Sequence, residues 1–120
     1  MNTSTFKENL MIATKTKDLI LSLEPLLENI PKKDLFSRDK IKDTCISLLE
    51  SIYHANIIKK DLKRRLSYQE DAIVYLRVID FHIERLYKLR YISKRQVLTI
   101  SSKIEDIYKM IYGWIKSSEN

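Results

Sequence analysis

The chain has 120 residues, enough for one domain with a substantial core. One glycine and two prolines leave too little turn chemistry for an all-β fold, and a single cysteine excludes an internal disulfide. The 22 Lys and Arg outweigh the 16 Asp and Glu by +6, which points to an anionic partner, nucleic acid before acidic membrane, or else to an ordinary Lys-rich surface.

The amino-terminal stretch MNTSTFKENLMIATK has no apolar run long enough for a signal peptide. No run approaches the roughly 20 apolar residues of a membrane helix. A cytoplasmic protein without a membrane contact is expected. About residues 1–14 and 118–120 are expected to be loosely ordered flanks of a single domain spanning 1–120.

The first helix is expected from about Thr16 to Ile30, with Leu19, Ile20, Leu23, Leu26, Leu27 and Ile30 on one broad side. Pro25 should kink or divide it, because proline has no amide donor and crowds the preceding turn. Pro31 ends it. The second helix is expected to start at Ser37 as N-cap, with Ile41, Cys45, Leu48, Ile52 and Ala55 as its buried stripe. For the third, Ser67 and Glu70 read as a capping box, followed by Ala72, Leu76, Ile79, Ile83, Leu86 and Tyr87. For the fourth, Ser93 and Gln96 form another capping box, followed by Val97, Ile100, Ile104, Ile107, Ile111, Trp114 and Ile115. Short links between long helices favour antiparallel neighbours, so the expected fold is all-α, an up-down-up-down four-helix bundle.

Two helices carry more apolar surface than one core needs. At about 100° per residue, Ile46, Tyr53 and Ile57 fall opposite the stripe of helix 2, and Val74, Val78 and Phe81 opposite that of helix 3. Two such trios suggest a surface for self-association; an irregular bundle that wraps them inside is the alternative. Gly113, beside the single tryptophan Trp114, also falls outside the stripe of helix 4. A glycine there lets another backbone approach closely, or else marks a fraying helix end.

An up-down course places the helix 1–2 and helix 3–4 connections at one end. Lys32, Lys33, Arg38, Lys40 and Lys42 would meet Lys88, Arg90, Lys94 and Arg95 there, with Tyr91 between them as a stacking residue. The opposite end carries KKDLKRR, with Lys59, Lys60, Lys63, Arg64 and Arg65. Cations at helix ends suit phosphate-backbone binding without base-specific reading, and they also suit a solvated surface. No helix-turn-helix, zinc or RNA-recognition fingerprint is present.

Catalytic chemistry is not indicated. Neither His54 nor His82 has a glutamate three residues before it, so the Glu-x-x-His pair of metal-bearing bundles is missing. Cys45 lies on the core stripe and reads as a small buried hydrophobe. One glycine cannot build a phosphate-binding loop. Asp80, at the edge of the helix 3 stripe, is expected to pair with a nearby Lys or Arg. No enzyme, metal or cofactor is expected.

The stretch LYKLRYISKRQVLTISSKIEDIYKMIYGWIKS resembles the carboxy-terminal half of the accessory variability determinant proteins of diversity-generating retroelements. The matching residues are Tyr91, Ile92, Ser93, Gln96, Gly113, Trp114, Ile115 and Lys116. In LEPLLENIPKKDLF, Pro25, Pro31 and Lys32 also match, and the resemblance spans about residues 19 to 117. It implies a small basic four-helix bundle assembled into a ring of five. Such a protein binds the element's reverse transcriptase and RNA or DNA, and supports mutagenic retrohoming without a catalytic site. The related 23S rRNA intervening-sequence proteins share the bundle, but their Asn-Ile-Ala-Glu-Gly-like signature is missing here. Family members often have Gly and Arg where FSRDKI stands in this chain. The resemblance makes close packing at Gly113 the better reading, with Trp114 in the same contact. A helical scaffold or regulator that binds only protein is the alternative function, and a mobile-element passenger without activity a third.

Overall fold

A computed structural model describes the backbone of residues 3–118 and the side chains of residues 11–117. Four helices follow one another: α1 (Thr3–Leu27), α2 (Leu35–Ile57), α3 (Leu62–Lys88) and α4 (Lys94–Ser118), with a short 3₁₀ turn at Lys32–Asp34 before α2. No strand occurs among the described residues, and the fold is an all-α four-helix bundle. Each helix packs against two others, α1 and α3 each lying between α2 and α4. Side-chain pairs show the neighbours running in opposite directions. Asp18 and Lys103 join α1 to α4 at mid-helix, while Leu26 lies beside Arg95 and Gln96. Lys17 covers Tyr53 whereas Leu27 lies by Lys42 across α1 and α2. His54 stacks on Tyr68 between α2 and α3, ring centroids 4.7 Å apart. This is compatible with an up-down-up-down course.

The core is the continuous stripe that the periodicity predicts. Leu19, Leu23, Ile41, Leu48, Ile52, Leu76, Ile79, Ile83, Leu86, Ile100, Ile104, Ile107 and Ile111 are all buried. Burying a Leu or Ile side chain contributes about 1.5–3 kcal/mol, so this stripe is the main source of stability. Cys45 belongs to it, and burial pushes its thiol up to about 12. Tyr87 does not: it lies on the last turn of α3 and is exposed.

The helix ends differ from expectation at three places. Helix α1 begins at Thr3 rather than near Thr16, and Ile12, Ala13 and Thr16 extend its buried face. Thr16 Oγ1 donates to the Ile12 carbonyl at 2.8 Å, a bond a threonine makes inside a helix. Of the flanks expected to be loose, residues 1–2 and 119–120 lie outside the described residues. Pro25 does not divide α1, which continues to Leu27 and closes with Asn29 and Ile30 amides on the Leu26 and Leu27 carbonyls.

Helix α2 is entered at Asp34, not at Ser37. Ser37 is buried in the first turn and donates to Asp34 Oδ1 at 2.7 Å. Helix α3 is entered at Asp61, whose carboxylate accepts the Arg64 amide at 3.1 Å, and Ser67 lies within the helix. The Asp61 carboxylate is a sufficient N-cap, and Leu, Lys and Arg then propagate the helix, whereas the Asp34 carboxylate caps no amide of α2 and is taken by Ser37 and Arg85. Helix α4 has its predicted capping box: Ser93 Oγ accepts the Gln96 amide, and Gln96 Oε1 accepts the Ser93 amide.

Candidate nucleic-acid interface

The α1–α2 and α3–α4 connections meet at one end, and Arg85 joins them. From the last turn of α3 its Nη1 donates to Asp34 Oδ2 at 3.2 Å and to Ser37 Oγ at 2.8 Å. The Ser37 hydrogen bond does most to hold the Asp34 carboxyl below its ordinary value of 3.8; burial opposes this, and Arg85 and Tyr91 add to the lowering. This junction fixes the 3₁₀ turn against α3.

Around it stand the cations. Lys32 and Lys33 are exposed on the 3₁₀ turn, and Lys40 and Lys42 on α2. Arg38 is half-buried, its Nε 3.7 Å from Asp39. Lys88 is exposed and pairs with Glu84 one turn back at 3.5 Å. Arg90, Lys94 and Arg95 are exposed. The fold therefore brings to one end the residues that the sequence placed there.

Arg90 has φ 65°, the left-handed conformation that favours glycine. The Arg90 amide bonds to the Tyr87 carbonyl and the Tyr91 amide to that of Leu86, the paired bonds of a Schellman closure. Arginine at this position costs about 1 kcal/mol relative to glycine. Its guanidinium is exposed at the corner between α3 and α4.

The opposite end differs in construction. Lys59, Lys60, Lys63 and Arg64 are exposed, and Arg65 is half-buried. Lys63, Arg64 and Arg65 lie on the first turn of α3 rather than in a loop. Lys59 Nζ donates to the Asn56 carbonyl at 2.7 Å.

The outward trios are exposed but do not form one surface. Ile46 borders α1 beside Ile20, Leu23 and Glu24, and Lys17 lies 5.7 Å from the Tyr53 ring centroid. Ile57 is the most exposed of its trio at 71 %. Phe81 borders α4 beside Tyr108 and Tyr112, with Val74 and Val78 along the same helix. Gly113 faces outward, and nothing lies within 4 Å of where a Cβ would stand. Trp114 packs into the protomer's own core, which leaves its side chain little surface for an oligomer contact.

Two residues, Phe36 and Arg85, escaped the sequence reading, and two expectations are corrected. Phe36 is 73 % exposed, with Lys40 5.5 Å from its ring centroid. Tyr91, the stacking residue expected from the sequence, is half-buried and packs on the core. Asp80 has no Lys or Arg partner within ion-pair distance among the described residues. It lies in a cleft of about 430 Å³ with Arg77, Glu84, Glu105 and Tyr108. Burial raises its carboxyl above the ordinary value, and Glu84 and Glu105 add to this. Arg85 was missed because its spacing marks it only as a surface cation, and its partner Asp34 lies 51 residues away in sequence.

Among the described residues no three His, Cys, Asp or Glu side chains are grouped to hold a metal ion. No described helix is long and apolar enough to cross a membrane. No curated protein and no solved structure matches the chain. A family model described as bAvd-like matches residues 10–118, which takes in α2, α3, α4 and all of α1 but its first seven residues. The chain accordingly belongs to the bAvd-like family, that of the accessory variability determinant, and this suggests an accessory protein of diversity-generating retroelements.

Proposed function

We propose that this protein is a non-catalytic, nucleic-acid-binding accessory subunit that associates with the reverse transcriptase of a diversity-generating retroelement and supports mutagenic retrohoming. The observation that carries the reading is the basic end. Two chain segments distant in sequence are joined by Arg85 on Asp34, and Lys32, Lys33, Lys40, Arg90, Lys94 and Arg95 are left exposed around them. Such an array attracts phosphates without selecting a base sequence. Family membership supports the same reading, since accessory proteins of this type are generally non-catalytic. The protein acts in the cytoplasm, where the element is transcribed and copied.

We also propose that it assembles into a closed homo-oligomer, a ring of five. The trios on α2 and α3 support this because they lie on different flanks. A head-to-tail ring joins two different patches, and a two-fold dimer joins one patch to itself. These same exposed flanks favour the second reading, a helical scaffold that binds only protein.

The test is co-expression with the reverse transcriptase encoded by the same element, followed by affinity capture and RNA binding. Capture of the polymerase, with RNA affinity that falls steeply as salt rises, supports the proposal. Capture without nucleic-acid affinity leaves the scaffold reading. Neither capture nor nucleic-acid binding overturns both.

A further inference from the structure

We propose that Phe36 is a stacking platform for an unpaired base, so that the basic end takes single-stranded nucleic acid in preference to duplex. This rests on the reading that the basic end binds nucleic acid, and it adds the class of ligand. Phe36 is the most exposed large apolar side chain among the described residues, at 73 %.

Its backbone is held in place. The preceding turn is fixed by Asp34, and the next residue, Ser37, is buried and bonded to both Asp34 and Arg85. The ring therefore projects from a rigid point. Cations flank it: Lys40 lies 5.5 Å from the ring centroid, and Lys32 and Lys33 stand on the turn just before the helix. A flat aromatic surface beside ammonium groups is the arrangement that binds single strands, with phosphates on the cations and a base on the ring. Every base has a π-face, so such a platform has little sequence preference. In a duplex the bases are already stacked on one another. The ring then gains nothing, and only the phosphate contacts remain.

The experiment compares wild type, Phe36→Ala and Phe36→Trp. Each is titrated by fluorescence anisotropy with a labelled mixed-sequence single-stranded RNA of about 20 nucleotides, and with the corresponding duplex, at several salt concentrations. Base–aromatic stacking is worth about 1–3 kcal/mol per base, so Phe36→Ala should lose about 5- to 150-fold in single-strand affinity. Phe36→Trp should retain it. Duplex affinity should be unchanged in all three, and so should the slope of log affinity against log salt, because no phosphate contact is removed. Equal losses on both RNAs, a changed slope, or no loss overturn the stacking role. A changed mass of Phe36→Ala in light scattering also overturns it, by making Phe36 a contact between protein copies. If wild type binds neither RNA, the nucleic-acid reading itself falls. If it binds both with a salt slope and Phe36→Ala behaves identically, only the platform falls.

Discussion

Arg85 and Asp34, 51 residues apart in sequence, meet at 3.2 Å and tie the last turn of α3 to the connection before α2. The bond sets where the basic end stands. Arg85→Ala and Ser37→Ala should both lower the melting temperature at pH 7. The sign with pH follows from the Asp34 carboxyl, which is held below its ordinary value in the fold, first by Ser37. Its contribution is present above the ordinary value of 3.8 and is lost as pH falls through the lowered one. Thermal melts from pH 7 to pH 2 should show wild type and the two variants converging at the acid end. A constant gap across that range would show that the junction stabilises by packing alone.

Arg90 offers a trade between stability and function. Arg90→Gly removes a side chain from the left-handed conformation and should stabilise the fold by about 0.5–1 kcal/mol, or about 3 °C. It also removes a cation from the proposed interface, so RNA affinity should fall several-fold while the melting temperature rises. Calorimetry and a binding titration on one preparation check both directions. A stabilised variant with undiminished affinity would place Arg90 outside the interface.

The two basic ends can be ranked. Arg90, Lys94 and Arg95 share their end with Lys32, Lys33 and Lys40, so their field adds to that of a second chain segment. Lys63, Arg64 and Arg65 share a single connection with Lys59 and Lys60, and Asp61 lies among them. The Arg90/Lys94/Arg95→Ala variant should lose more affinity for single-stranded RNA than Lys63/Arg64/Arg65→Ala. Its salt slope should flatten by roughly 2, at about 0.7 per lost phosphate contact. Both should keep wild-type helicity by circular dichroism. A larger loss in the second variant would move the interface to the opposite end.

Val78 and Phe81 test the assembly. Both are exposed on α3, so Val78→Asp and Phe81→Asp should leave helicity intact. Light scattering of wild type should give a mass near five times 14.3 kDa, and each variant should fall towards a single copy. A wild type that stays at 14.3 kDa across micromolar concentrations would end the ring proposal.

The helices and their buried faces were legible because they depend on local period. Leu76, Ile79 and Ile83 recur at three and four residues whatever their partners are. The helix starts were less legible. Ser37 and Ser67 have the composition of caps, but Asp34 and Asp61 stand nearer to where the chain leaves its turns. A cap depends on that geometry as well as on residue type. The cations were legible as residue types, and the topology gathered them as expected. Arg85 was not, because its role depends on a partner brought near only by the fold. Phe36 was missed for a related reason: with Ser37 turned into the bundle, the neighbouring side chain turns outward.

Gly113 is the one glycine in the chain, and the fold of one copy does not require it. Its φ is not positive, and a Cβ would meet nothing within 4 Å. Within one copy, Gly113→Ala should therefore stabilise α4 by about 0.5–1 kcal/mol, since alanine is the better helix former. Less is expected if the last turns fray, because the residue is then only partly helical. A second backbone reverses the sign. If Gly113 lets another chain lie against the outer face of α4, a methyl group holds that chain away and the assembled protein loses affinity. The two effects separate with concentration. Melting in dilute solution, where copies are apart, should show the stabilisation. Light scattering at micromolar concentration, and capture of the reverse transcriptase, should show weaker assembly or weaker capture. Gly113→Leu enlarges the obstruction while remaining a good helix former, so it should deepen the second effect more than the first. If both substitutions stabilise the protein and leave mass and capture unchanged, no close approach occurs at Gly113, and its place near the end of α4 reflects only the low cost of glycine there.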